Sequence, residues 1–264
     1  MWYTPSHTMS EKFVALFDLH WGYERRGGHK VPLHDARALG AALNFVADFK
    51  PNHVILGGDM LDCGVVSHHN HGRPGAIEGL KLISDAKELV EEVITPLENT
   101  IQGRLIYHVG NHEDWLTDLT DLIPSLEGLI EISNLLDLSD QWEVVPQGEA
   151  SKLGKLTFLH GDQIRGGENV AKSAVVAYER NFRFGHHHTF QAYTKTSAVD
   201  MNGHTGISVP CLCKKGPRYG EGAPNKWMQG FLWGYVGGPD GIFNDYVSVI
   251  VNGKFIANGK VYKG

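Results

Sequence analysis

Five short stretches of the chain end in residues that bind metals or move protons: Asp18-Leu19-His20, Gly58-Asp59, Gly110-Asn111-His112-Glu113, His160-Gly161-Asp162 and Gly185-His186-His187-His188. Together they offer carboxylate oxygens, imidazole nitrogens and an amide oxygen. That mixed set suits manganese, iron, zinc or nickel better than calcium or an all-sulfur site. Taken singly, Asp18, Asp59 and Asn111 read as helix N-caps, for which Asp and Asn are favoured. Five such tips in order, each directly after an apolar run, read instead as a site for two metal ions sharing a bridging carboxylate. The run of three histidines lies well inside the chain, where an engineered tag is not expected. On an extended segment side chains alternate, so His187 is expected to point away from His186 and His188.

The elements needed to bring these tips together are visible in the hydrophobic spacing. "KFVALFDLH" is a short apolar run of the kind that forms a buried strand, and "HVILGGDMLD" and "RLIYHVGNHE" repeat the pattern. Between them, residues 33–49 carry Leu39, Leu43, Val46 and Phe49 at helical spacing, with Pro51 as a stop. Residues 77–94 predict a second helix through Leu80, Ile83, Leu89, Val90 and Val93, ended by Pro96. Strand and helix in alternation imply a layered α/β fold with a largely parallel sheet, whose ligands gather beyond the carboxyl ends of the strands. From Gly154 the strands shorten, through "KLTFLHGD" and "FRFGHHHT", with a helix expected near 169–180. The stretch 198–240 reads as long loops around two strands, and "YVSVIVNGKFIANGKVY" as a hairpin or meander with two Asn-Gly turns.

Composition narrows the classes. The chain has 264 residues, enough for one α/β domain, and no linker or repeat divides it. A formal net charge of −6 lacks the basic footprint of a protein that lives on long nucleic acid. Fifteen histidines raise the expectation of a metalloprotein. Cys63, Cys211 and Cys213 make no even-numbered disulfide framework, which together with the lack of a signal-like or long apolar segment implies a soluble, cytoplasmic protein. Cys211 and Cys213 alone make a poor zinc site. His108 reads as a strand or core histidine and Asp162 as a turn residue.

On these residues the chain resembles the calcineurin-like metallophosphoesterase superfamily, whose pattern is D-x-H, G-D-x-x-D, G-N-H-[DE], a lone His after a strand, and G-H-x-H. The match spans about residues 13–188, with every block in order, leaving 189–264 for C-terminal strands and substrate-side loops of the same domain. The resemblance implies a four-layer αββα sandwich of two mixed β-sheets flanked by helices. It implies one ion held by Asp18, His20 and His188, a second by Asn111, His160 and His186, and Asp59 between them. It also implies His112 as the general acid, with Asp62 orienting its imidazole. Two divalent transition-metal ions are expected, manganese first, with iron, zinc or nickel as alternatives.

The substrate is narrowed by departures from the family's protein phosphatases, which carry one arginine directly after G-D-x-V-D and another directly before G-N-H-E to grip phosphate. Here Cys63 and Val109 occupy those positions. A phosphodiester of small or nucleotide type is therefore expected rather than a phosphoprotein. His71 and Arg73, in the loop past Asp62, are candidate substrate contacts. "NKWMQGFLWGYV" resembles the C-terminal segment of small phage and bacterial members, some described as exonuclease-like. Phe231, Trp233 and Tyr235 there alternate as a sheet face does, which leaves Trp227 as the candidate for stacking on a base. The alternatives are a DNA or RNA exonuclease or endonuclease of the same chemistry, a phosphomonoesterase, and a non-catalytic scaffold. The intact ligand pattern weighs against the scaffold.

Overall fold

The computed structural model describes residues 9–70, 72–165, 167–196, 198, 203–216 and 226–264. In chain order the strands are β1 (Ser10–Leu16), β2 (Tyr23–Arg26), β3 (His29–Pro32), β4 (His53–Leu56), β5 (Leu105–His108), β6 (Trp142–Val145), β7 (Ser151–Leu153), β8 (Leu156–Leu159), β9 (Asn181–Phe184), β10 (Gln191–Lys195), β11 (His204–Ser208), β12 (Gln229–Gly237), β13 (Ile242–Ile250), β14 (Lys254–Ala257) and β15 (Lys260–Lys263). The helices are α1 (Ala36–Phe49), α2 (Pro74–Ile77), α3 (Leu82–Leu89), α4 (Thr95–Thr100), α5 (Asn111–Leu122), α6 (Ile132–Leu135) and α7 (Val170–Tyr178). One sheet runs β13-β12-β1-β4-β5-β6 and a second β10-β11-β9-β8-β7, while β2-β3 and β14-β15 pair as two-stranded ribbons. Both larger sheets are mixed: β1, β4, β5 and β6 are parallel with β12 antiparallel beside β1, while β8, β9 and β11 are parallel between antiparallel neighbours.

Side-chain alternation sorts the apolar residues into three clusters. Val14 and Leu16 of β1 face α1 and the other helices, whereas Phe13, Ala15 and Phe17 face the second sheet, together with Ile55, Ile106, Leu156 and Phe158. On the far side of the second sheet, Phe182 and Phe184 pack against Val170 and Ala174 of α7. The layers are helix, sheet, sheet, helix, and the two middle layers explain why the strands read as unbroken apolar runs. No helix among the described residues is long and apolar enough to cross a membrane.

The helix expected at 33–49 forms as α1. The Asp35 carboxylate caps it, accepting the Arg37 and Ala38 N–H groups at 3.0 and 3.1 Å. Lys50 ends it in the left-handed region. Phe45 is buried between sheet and terminal hairpin, its ring meeting Phe231, Trp233, Phe255 and Tyr262 at 5.2 to 5.9 Å. Removing that ring from water contributes about 2 kcal/mol. Both Asn-Gly pairs form turns, with Asn252, Gly253, Asn258 and Gly259 all at positive φ, as a hairpin turn of this kind requires.

The second helix departs from the expectation. Residues 77–94 do not form one helix stopped by Pro96; α2 and α3 are separate, and α3 runs through a wide π turn, Val90–Ile94, directly into α4. Pro96 lies just past the π turn, inside this continuous run, and the wider turn, with the Thr95 N–H on the Val90 carbonyl, accommodates the proline ring, so it does not act as a stop.

The sheets are also tied by charge. Arg183 of β9 is buried, and its Nε donates to the Asp245 carboxylate of β13, while other guanidinium N–H groups reach the Thr205 and Phe182 carbonyls and the Thr205 hydroxyl. Removing one member of such a pair strands the other without its counter-charge. Asp245→Ala is expected to lower stability by about 3 kcal/mol, read from the urea midpoint, and an unchanged midpoint would show that the pair contributes nothing.

Candidate metal centre

The five polar tips lie at the carboxyl ends of β1, β4, β5, β8 and β9, and pairing continues past the strand ends. The Asp18 N–H donates to the Gly58 carbonyl at 3.1 Å, His20 N–H to the Asp59 carbonyl at 2.8 Å and Gly185 N–H to the His160 carbonyl at 2.8 Å. Asp18, His20, Asp59, His186 and His188 all adopt positive φ, between 49 and 64°. Asp, Asn and His tolerate that region better than other non-glycine residues, at about 1–3 kcal/mol each. The histidine triplet is therefore not extended. His186 and His188 reach the cluster because the backbone is left-handed at both, while the His187 ring meets Phe184 and His186 instead.

The glycines in the motifs are there for room. A Cβ on Gly58, whose φ is +94°, would stand 2.5 Å from His160 Nδ1, and one on Gly110 would stand 2.2 Å from Asp59 Oδ1.

The seven residues expected as ligands converge. Asp59 Oδ2 is 3.3 Å from His160 Nε2 and 3.8 Å from His20 Nε2. His188 Nε2 is 3.4 Å from Asp18 Oδ1 and 3.3 Å from His20 Nε2. Asn111 Oδ1 lies 2.8 Å from His186 Nδ1 and 3.1 Å from His160 Nε2. Asp18, His20, Asp59, His160 and His188 are buried, and Asn111 and His186 are half-buried. As the N1 residue of α5, Asn111 follows the cap, Gly110, and is not the cap itself. The amide oxygen is thus left to the cluster.

The donor set fits divalent cations. His160 Nδ1 lies 3.0 Å from the Gly57 carbonyl and His20 Nδ1 3.1 Å from Asp62 Oδ1, while His188 Nδ1 faces the Cys213 thiol at 3.8 Å. Each of these rings has a partner for its outer nitrogen and turns Nε2 inward. That is the arrangement that fixes a metal-binding tautomer. Burial opposes charge on Asp18 and Asp59, yet the neighbouring His188 holds Asp18 below the usual carboxylate range, and His160, His112 and His20 hold Asp59 well below it. Burial also opposes a proton on His160, but Asp59 raises its pKa to about 10. The attraction that retains that proton is the attraction a cation would use in its place.

Beside the cluster, His112 Nδ1 is 2.8 Å from the Asp62 carbonyl and 3.2 Å from its Oδ1. The Asp62 carboxylate expected to serve His112 is thus shared with His20, and the shorter contact to His112 is the backbone one. Trp227 packs edge-on against His188 with ring centroids 4.0 Å apart. Arg73 is exposed at the start of α2, and none of the described contacts joins it to the cluster. His71 lies outside the described residues. Asp162 accepts from Gln147 at 2.5 Å, and His108 Nε2 pairs with Ser151 Oγ at 2.8 Å; burial lowers the His108 pKa to about 3.

One buried residue carries more of the site than its place in the motif suggests. Glu113 accepts the N–H groups of Asp59 and Gly110, both at 2.9 Å, of Met60 at 2.6 Å and Leu61 at 3.0 Å, and the Tyr107 hydroxyl at 2.9 Å. It binds the loop after β4 to the loop after β5. Its sequence signal is only that it stands at N3 of a helix whose cap is glycine, a capping-box position.

The chain is similar to the gene 54 proteins of mycobacteriophages L5 and D29. Each is 26% identical to it over 270 residues, covering 97% of this chain and 100% of theirs. No family model matches. Among solved structures, a Vps29 variant from Entamoeba histolytica aligns over 96% of this chain and 98% of its own at 12% identity and a TM-score of 0.44. The E. coli phosphoesterase YfcE aligns over 89% and 98% at 15% identity and 0.40, and a dimetal phosphatase from Danio rerio over 85% and 92% at 12% and 0.40.

Glu113→Ala leaves four backbone N–H groups and a tyrosine hydroxyl without their acceptor. It is expected to lower stability by about 3 kcal/mol. It should also reduce bound metal, measured by inductively coupled plasma spectrometry after loading and desalting. Wild-type metal content in this variant would show that the two loops hold their positions without the carboxylate.

Proposed function

We propose that the protein is a calcineurin-like metallophosphoesterase of the small phage type, hydrolysing phosphodiester bonds of small or nucleotide-type substrates. The observation that carries this reading is the set of imidazoles whose outer nitrogens have partners and whose inner nitrogens meet buried carboxylates and one amide oxygen. Asp18, His20 and His188 would hold one ion, Asn111, His160 and His186 a second, with Asp59 shared. Bound divalent ions supply Lewis acidity toward phosphoryl oxygens and lower the pKa of water, and manganese is the metal we favour.

The protein's own residues do the rest. Attack from one side of phosphorus leaves an alkoxide that needs a proton. His112 is placed to give it, with Nδ1 held by Asp62 and Nε2 4.0 Å from Asp59 Oδ2. Burial disfavours the imidazolium, but the Asp59 and Asp62 carboxylates outweigh it and raise the pKa to about 9, the direction a general acid needs. A diester carries one negative charge where a monoester carries two, which suits a site with Cys63 and Val109 in place of two phosphate-gripping arginines.

The metal-loaded protein is expected to hydrolyse bis-p-nitrophenyl phosphate with manganese and to lose that activity to chelator. A metal-replete sample inert on a broad panel of esters would sink the reading. His112→Ala should lower kcat by about 10²–10⁴-fold, since it removes the proton donor. Its metal content should stay near that of the wild type, because the hydrogen bond that His112 makes to Asp59 comes from its backbone N–H, at 2.9 Å, which alanine keeps. Loss of metal would instead make His112 part of the ligand set.

A further inference from the structure

The rings around the cluster form an unbroken series. Trp227 meets His188 at 4.0 Å between centroids, His188 meets His20 at 5.1 Å, His20 meets His112 at 4.5 Å and His112 meets Trp115 at 4.1 Å. The series joins Trp227 to Trp115 through three histidines. The two come from unrelated parts of the chain. Trp115 projects from the first turns of α5, and Trp227 from the segment entering β12, where the Met228 N–H donates to the His188 carbonyl at 2.8 Å. Both indoles are half-buried, so each keeps part of its surface in water beside groups that would act on phosphorus. His68 and His69 brace Trp115 with edge contacts at 6.1 and 5.9 Å. That ties the loop after Asp62 to the same wall.

A phosphate diester beside His112 has two ester arms diverging from phosphorus, and the ring series carries one indole next to His112 and the other next to His188. Water-exposed aromatic surface gains most from a flat partner, and stacking of this kind accepts any base. Resting on the phosphoesterase reading, we propose that Trp115 and Trp227 are the two arms of a substrate clamp, so that the preferred substrate is a diester with a planar group on both sides, as in a dinucleotide. Trp227 then serves one arm, and Trp115 serves the other while packing on His112.

The test compares esters that share one leaving group: p-nitrophenyl thymidylate and bis-p-nitrophenyl phosphate carry two planar groups, methyl p-nitrophenyl phosphate only one. The metal-loaded wild type should favour the two-ring esters in kcat/KM. Trp115→Leu and Trp227→Leu should each shrink that preference by about tenfold, mainly through KM, as expected for one lost stacking contact. Trp115→Phe and Trp227→Phe, which keep a ring, should restore most of it, and thermal melts of all four variants identify any that fail to fold. If the wild type hydrolyses the esters and neither leucine variant alters the preference, the clamp is overturned while the phosphoesterase reading stands. A change in only one variant overturns the two-arm arrangement. An equal fall of kcat on all three esters in Trp115→Leu, with the preference intact, would leave Trp115 as a mere neighbour of His112 and overturn its role. A wild type inert on all three removes the phosphoesterase reading and the clamp with it.

Discussion

Two carboxylates held out of water, Asp18 and Asp59, set the terms for everything at this rim. A buried charge is tolerable only when counter-charges and hydrogen-bond donors surround it. Imidazoles from three further strands supply the first, and backbone N–H groups the second: His186 N–H donates to Asp18 at 2.9 Å and His112 N–H to Asp59 at 2.9 Å. To bring so many groups so close, the chain gives up ordinary backbone geometry at Asp18, His20, Asp59, His186 and His188 and drops side chains at Gly58 and Gly110. The unfavourable conformations sit where the surrounding sheets over-determine them. Such strain persists only in that setting.

The convergence of the candidate ligands was legible because each tip follows an apolar strand, and strand ends in a layered α/β fold share a rim. The layers followed from the family resemblance, and the structure shows the alternation that produces them in Phe13 and Val14, neighbours assigned to different cores. The hairpin turns were legible from Asn-Gly alone. What could not be read involves partners distant in sequence or geometry without a residue signature. Glu113 looks like a capping residue, and nothing local says that its second oxygen serves the loop after β4. Arg183 looks like one charge in a strand until β13 is laid against β9. Pro96 read as a stop because a π turn ahead of it has no distinctive composition. His187 was expected to turn away for the reason that strands alternate; it does turn away, but between two left-handed residues.

Trp115 was hidden for a related reason. On a helix, a tryptophan three residues after His112 reads as an apolar position of α5, and it does touch the main core. Its proximity to His112 follows from the spacing of one helical turn, since residues three apart share a face. The same ring packs against the core and meets His112.

Each proposed ligand set draws on both sheets: Asp18 and His20 from the first with His188 from the second, and Asn111 from the first with His160 and His186 from the second. Cations held this way would be cross-links between the middle layers, in addition to the Arg183–Asp245 pair described above. Unfolding would then have to release them, which makes the stability of the whole sandwich a function of free metal concentration. Scarcity of the cation would loosen the architecture as well as silence the chemistry.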